Sequence, residues 1–298
     1  MKIGAIFPQT EIGNDAGAIA EYGRAIEAMG YDYLVAYDHV LGANTASRPD
    51  WKGPYTLDST FHEPFVLFAY LAAVTKTLGF ATGIVILPQR QTALVAKQAA
   101  CLDVLSGGRL RLGVATGWND VEYEALGVPF AERGARIEEQ VAVLRALFTQ
   151  PAVTFRGAYH SIPDAGINPL PVQRPIPIWM GGGSGSPVTK EPPSDRVYRR
   201  IARLADGWMP GFAPDDRGRE LWERVQGYCR EEGRDPSQLG LEGRLTVKRQ
   251  NEGKWADVLG GWKRLGASHV SVGTMGDGLR GAEAHLRRLE EVRALAEL

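Results

Sequence analysis

The 298-residue chain is 44% apolar and carries 34 basic against 35 acidic side chains. It can therefore build one sizeable core, and it lacks the clustered positive charge that nucleic acid requires. No segment approaches the roughly 20 consecutive apolar residues of a membrane span, and the two cysteines, Cys101 and Cys229, have neither a CxxC partner nor a nearby histidine, so they read as buried structural thiols within helices and not as a metal site or disulfide.

Met1-Lys2-Ile3-Gly4 enters a strand at once, without the basic, apolar and cleavage-site pattern of a secretion signal, so a cytoplasmic protein is expected. From there short apolar runs recur along the chain: Ile3–Phe7, Tyr33–Tyr37, Leu78–Leu87, Leu110–Ala115, Ile176–Met180, Gly207–Pro210, Leu241–Val247 and His269–Gly273. Amphipathic, helix-like segments separate them. The first, Asp15–Met29, should end at Gly30. After the second run comes a long polar and aromatic stretch, 41–61, with Trp51 and Tyr55, of the kind that serves as a lid or binding loop. Helices are expected over Glu63–Thr75 and Thr92–Leu105, the latter broken by Ser106-Gly107-Gly108. A fourth covers Glu132–Phe148, where Ile137, Val141, Leu144 and Phe148 repeat at helical spacing. Residues 153–162 alternate as a small hairpin, 164–174 form a proline-bearing connector, and 184–194 (SGSPVTKEPPS) form a second irregular loop. Near the C-terminus Arg287, Arg288 and Arg293 alternate with glutamates as on a solvated helix face.

Apolar strands alternating with helices describe a parallel sheet covered on its outside, and the count of strands closes an α/β (β/α)8 TIM barrel. It is read as a single domain over 1–298, with insertions after strands 2, 4 and 5. Active sites on this barrel lie at the carboxyl ends of the strands, which directs attention to four short segments. Asp38-His39 ends strand two. The histidine can exchange a proton near neutral pH, and the aspartate can hold a polar group or orient the ring; a hydrogen-bonded structural pair is the alternative. Gly83 interrupts strand three, marking either a bulge where a ligand comes close or a packing glycine in barrel core. At the end of strand four Thr116 and Asn119 offer hydrogen bonds, Gly117 offers space, and Trp118 forms a wall. Gly181-Gly182-Gly183-Ser184 follows strand five with several amide N–H groups, as a phosphate loop or a flexible surface loop would. There is no HExxH, no metal-spaced histidine cluster, no GxSxG, no P-loop, and no GxGxxG after strand one. These residues favour binding of a large, flat, phosphorylated ligand, with no metal site, over hydrolysis.

These segments resemble the luciferase-like flavin and deazaflavin oxidoreductases, the barrel superfamily that includes bacterial luciferase. The resemblance spans nearly the whole chain. It is densest over 79–148, which contains GVATGWN, EYEALG and the Phe130…Arg133-Gly134 pattern, and in PIPIWMGGGS followed by RIARLADGWMP. Its form is most similar to the branch that uses coenzyme F420, a 5-deazaflavin, with FMN as the alternative. It implies His39 as the proton donor or intermediate stabiliser beside the ring and Asp38 as a cofactor contact. Gly83-Ile84 would form a bulge, often with a cis peptide bond, behind the ring. Thr116, Gly117 and Asn119 would line the cofactor, and Gly181, Gly182, Gly183 and Ser184 would hold its phosphate. Trp51, Tyr55 and Trp118 would shape the substrate pocket. Trp118 stands where sugar-phosphate-oxidising members carry glutamate, which argues against that substrate. The resemblance implies hydride transfer between F420 and a small organic substrate. Its alternatives are an FMN-dependent monooxygenase fed by a separate reductase, or a flavin-binding barrel without turnover. It also implies a homodimer.

Overall fold

The computed structural model describes residues 1–183 and 193–296. Among them the barrel strands are β1 (Lys2–Ile6), β2 (Tyr33–Ala36), β3 (Gly79–Thr82), β4 (Leu110–Ala115), β5 (Ile178–Gly181), β6 (Gly207–Met209), β7 (Gly240–Thr246) and β8 (His269–Gly273). Each pairs in parallel with its sequence neighbour, and β8 returns to β1 with Ile3 opposite Val270, so the sheet closes on itself. The expected (β/α)8 barrel is the one found. Outside it pack α1 (Ala16–Ala28), α2 (Pro64–Ala72), α3 (Thr92–Ser106), α4 (Asp120–Ala125), α5 (Arg133–Thr149), α6 (Asp195–Leu204), α7 (Asp216–Glu231), α8 (Trp255–Arg264) and α9 (Gly281–Ala296).

Local chemistry sets several of these boundaries. Asp15 caps α1 by accepting from the Ala18 N–H at 2.7 Å, and Glu63 caps α2 through Val66 at 2.9 Å, with Pro64 in the first turn where its missing N–H costs nothing. The main core lies between strands and helices, where Phe68 meets Phe80 at 5.1 Å and Ile137, Val141, Leu144 and Phe148 of α5 are buried together. Inside the barrel, toward the amino ends of the strands, polar groups replace aliphatic ones. Arg111 pairs with Glu242 at 2.6 Å and lies over the rings of Tyr33 and Trp179, and His269 packs against both rings. This layer plugs the barrel below the carboxyl ends of the strands, as side-chain layers do in such barrels.

The apolar run Leu78–Leu87 is not one strand. It pairs as β3, breaks at Gly83-Ile84, whose peptide bond is cis, and resumes at Val85–Ile86 beside Val114 and Ala115 before a 3-10 turn over Leu87–Gln89. The insertion after β2 carries a single 3-10 turn at Thr45–Ser47, and that after β4 contains α4. The hairpin, Val153–Arg156 with Ser161–Ala165, leaves from the far end of α5 and not from β4 itself. The insertion after β5 falls mostly on residues 184–192, outside the described residues. Two expectations need correction. Arg288 is not on a solvated face: it is buried over the Trp255 ring with Asp277 at 3.3 Å and Glu291 at 3.1 Å. Both thiols are free, but only Cys229 is buried; Cys101 is half-buried.

Candidate active site

The carboxyl ends of the strands surround a cavity of about 1280 Å³, larger than the roughly 300–1,000 Å³ of a pocket for one drug-sized ligand. It has room for a cofactor and a substrate together. Asp38, His39, Gly83, Ile84, Thr116 and Gly117 line it, together with Trp118, Trp51 and Tyr55 and, at the end of the neighbouring strand β5, Gly181, Gly182 and Gly183. Asn119 is not brought to the cavity. It is buried as the cap of α4, its Oδ1 accepting from the Val121 N–H at 3.2 Å and its Nδ2 donating to the Leu41 carbonyl at 3.3 Å. Ser184 lies outside the described residues.

Both carboxylate oxygens of Asp38 are occupied by protein. Arg90 grips it through Nη2 on Oδ1 at 2.6 Å and Nε on Oδ2 at 3.2 Å, and Oδ2 also accepts from the Ile86 N–H at 3.0 Å. The third Arg90 nitrogen reaches Glu63 at 3.0 Å. Burial works against the Arg90 charge, but the two carboxylates outweigh it and hold its pKa above the ordinary value. Gln140 of α5 anchors the same turn by donating to the Leu87 and Arg90 carbonyls. Asp38 thus fastens the segment just beyond the cis bond, and Ile84 faces the cavity from a rigid mount. Two glycines keep that face smooth. Gly117 has φ +65°, and a Cβ there would sit 2.6 Å from Ile86; a Cβ on Gly181 would sit 2.9 Å from the Ile84 methyl.

His39 stands among aromatic rings, with Tyr55 and Phe61 each 4.8 Å and Trp118 5.6 Å from its centroid. The lid folds onto this group: Trp51 packs on Trp118 at 5.8 Å and donates from Nε1 to the Tyr55 carbonyl at 3.0 Å. Burial pushes the Tyr55 phenol up to about 12, so it stays a neutral donor at physiological pH. The His39 Nδ1 lies 3.1 Å from Oε1 of Glu122, a fully buried carboxylate on α4 whose same oxygen accepts from Val40 N–H at 2.8 Å and Leu41 N–H at 3.3 Å. Nε2 of His39 has no hydrogen-bond partner among the described residues.

Glu122 escapes a reading that looks only at strand ends, because it sits in the first turn of α4. The signal available was a glutamate next to the aromatic Tyr123 in the EYEALG segment, the two buried residues of α4. Arg133, Arg200 and Arg244 also line the cavity and were not singled out. Arg200 is buried, with its guanidinium beside Gly134 of α5. Burial draws its guanidinium below the ordinary value, and Glu138 at 3.0 Å offsets only part of that. Arg244 lies over the Tyr37 ring at 5.5 Å and Arg133 over Phe130 at 3.7 Å. A flat apolar wall, a glycine rim and three guanidinium groups suit a planar ring system with an anionic tail.

The sequence profile of the luciferase-like monooxygenases matches residues 3–297. The chain belongs to this family. Its luciferase-like relatives include an uncharacterised protein of Mycobacterium tuberculosis, 38% identical over 254 residues that span 80% of this chain and 83% of the relative. Among solved structures the luciferase-like fold recurs in a monooxygenase of Streptomyces bottropensis, with TM-score 0.74, 18% identity and coverage of 99% of this chain and 98% of that one. It recurs again in the coenzyme F420-dependent tetrahydromethanopterin reductase of Methanopyrus kandleri, with TM-score 0.73, 15% identity and coverage of 98% and 97%.

Proposed function

We propose that this luciferase-like protein is an oxidoreductase that moves a hydride between coenzyme F420 and a small apolar or aromatic organic substrate. The observation that carries the reading is His39. It has a ring nitrogen without a partner among the described residues, it lines a large cavity together with the Gly83-Ile84 bulge, and it is walled by aromatic side chains. When bound, the deazaflavin supplies the hydride-accepting or hydride-donating carbon. Ile84 and Gly117 offer its ring a bed, Gly181–Gly183 with Arg200 hold its phosphate end, and Trp51, Tyr55 and Trp118 enclose the substrate and exclude water. His39 takes up or returns the substrate proton.

The Streptomyces monooxygenase, which matches as well as the F420-dependent reductase, favours a second reading: an FMN-dependent monooxygenase fed by a partner reductase. Titration of the purified protein with F420 and with FMN, followed by fluorescence, separates the two. The expected result is binding of F420 that saturates at micromolar concentrations with much weaker FMN binding, and the opposite order overturns the proposal. The protein acts as a homodimer in this reading. The support is a set of large apolar side chains left exposed on the adjacent helices α2 and α3, namely Val66, Tyr70, Leu94 and Leu105.

A further inference from the structure

Glu122 is out of reach of any ligand, because no part of its side chain is exposed. Its Oε1 nevertheless gathers three contacts. The Val40 and Leu41 amides can only donate, so the oxygen between them is an acceptor, and the His39 Nδ1 that approaches the same oxygen must carry a proton to hydrogen-bond with it. A neutral imidazole holds one ring proton. Placing it on Nδ1 leaves the lone pair on Nε2, the nitrogen without a partner among the described residues. The other carboxylate oxygen, Oε2, is buried and has no partner among the described residues, an arrangement that costs stability and is unexplained by packing alone.

We infer that Glu122 is a positioning residue for His39. It fixes the tautomer that offers Nε2 as a proton acceptor to the cavity, and its negative charge stabilises the imidazolium formed when that proton arrives. The inference rests on the reading of His39 as the proton-moving group and deepens it. As a substrate hydroxyl is oxidised, its proton passes to Nε2 and its O–H electron pair becomes the second bond of the carbonyl, while the hydride on the neighbouring carbon leaves to the oxidised deazaflavin. In the reverse direction the imidazolium returns the same proton to oxygen. The carboxylate that serves His39 thus meets the ring at Nδ1 and leaves Nε2 to the cavity.

The test reads the tautomer directly, by long-range proton–nitrogen NMR of protein labelled with 15N-histidine, with the His39 signals assigned by their loss in His39→Asn. Wild-type protein is expected to show His39 protonated on Nδ1 with a bare Nε2. Glu122→Gln should keep that tautomer, because the Val40 and Leu41 N–H groups oblige its carbonyl to face the ring, but it has lost the charge. Its kcat should therefore fall on the order of 10- to 100-fold, within what general acid–base catalysis supplies, with KM and cofactor affinity within about twofold of wild type. Glu122→Leu should move the ring toward the Nε2–H form that free imidazole favours. A wild-type His39 protonated on Nε2, or a Glu122→Gln enzyme with full kcat, overturns the inference. The wild-type spectrum and Glu122→Gln decide the matter even if Glu122→Leu does not fold. Failure of the catalytic reading shows separately, as turnover that survives His39→Ala while the tautomer is as described.

Discussion

At the residue scale, two neighbours at the end of β2 have different work. Asp38 is committed to Arg90 and to the Ile86 N–H, whereas His39 keeps one nitrogen for the cavity. Their substitutions should separate accordingly. On the proposed role His39→Ala removes the group that would move the proton and should lower kcat for hydride transfer by about 100-fold or more, with cofactor affinity and thermal midpoint near wild type; single-turnover absorbance of the cofactor measures it. Asp38→Ala strips the half-buried Arg90 guanidinium of its main partner and should cost about 3 kcal/mol of stability, read as a lower urea midpoint, with Glu63 too exposed to compensate. Sequence reading reached both residues because they end a recognisable strand. It could not divide their roles, since Arg90 lies 52 residues away and Glu122 lies 83 residues from His39. Asn119 is instructive in the opposite sense. Its position after β4 was correctly placed, yet a polar residue just before a helix is also a cap, and here the helix claims the side chain.

At the element scale, the interruption in β3 defines the cavity floor. Across it the backbone ladder between β3 and β4 lapses, from Ala81 opposite Arg111 to Val85 opposite Val114. Thr82 spans the gap: its hydroxyl donates to the Gly113 carbonyl at 2.7 Å and accepts from the Gly113 N–H at 2.8 Å. The side chain thereby replaces the missing rungs. Thr82→Val preserves shape but leaves both buried Gly113 groups unpaired, and should cost about 2 kcal/mol. Calorimetry measures that loss, and a weaker cofactor affinity should accompany it because Ile84 rides on the same segment. An unchanged melting temperature would show that the ladder is maintained by other contacts. Gly83 within an apolar run announced that something happens here. The threonine that bridges it is indistinguishable in sequence from any other strand residue.

At the scale of the whole molecule, the polar plug inside the barrel makes stability depend on pH. Burial, with Arg111, Lys2 and the N-terminal ammonium adding to it, pushes His269 down to about 3 from its ordinary 6.5. The unfolded chain therefore takes up this proton first as the pH falls. The stability gained by keeping His269 neutral is complete above about pH 6.5 and declines toward pH 3. The urea midpoint should drop between pH 7 and pH 5, and His269→Gln should flatten that slope; equal slopes would remove His269 from the account. The outer surface makes its own prediction. Leu105 is 72% exposed and Val66 68% exposed. If α2 and α3 form the homodimer face, Val66→Glu combined with Leu105→Glu should halve the mass seen by light scattering without altering the circular dichroism spectrum.

The alternation of apolar runs with amphipathic helices determined the closed barrel from sequence alone, because burial on both faces of a parallel strand leaves a local signature that no distant residue can erase. The location of the site at one end followed from that architecture. Who holds whom within the site did not. Hydrogen bonds such as Glu122 to His39, Arg90 to Asp38 and Thr82 to Gly113 join residues that are brought together only when the sheet closes. Periodicity reports which face of an element is buried and carries no record of its partner across the fold, so those pairings belong to the tertiary structure.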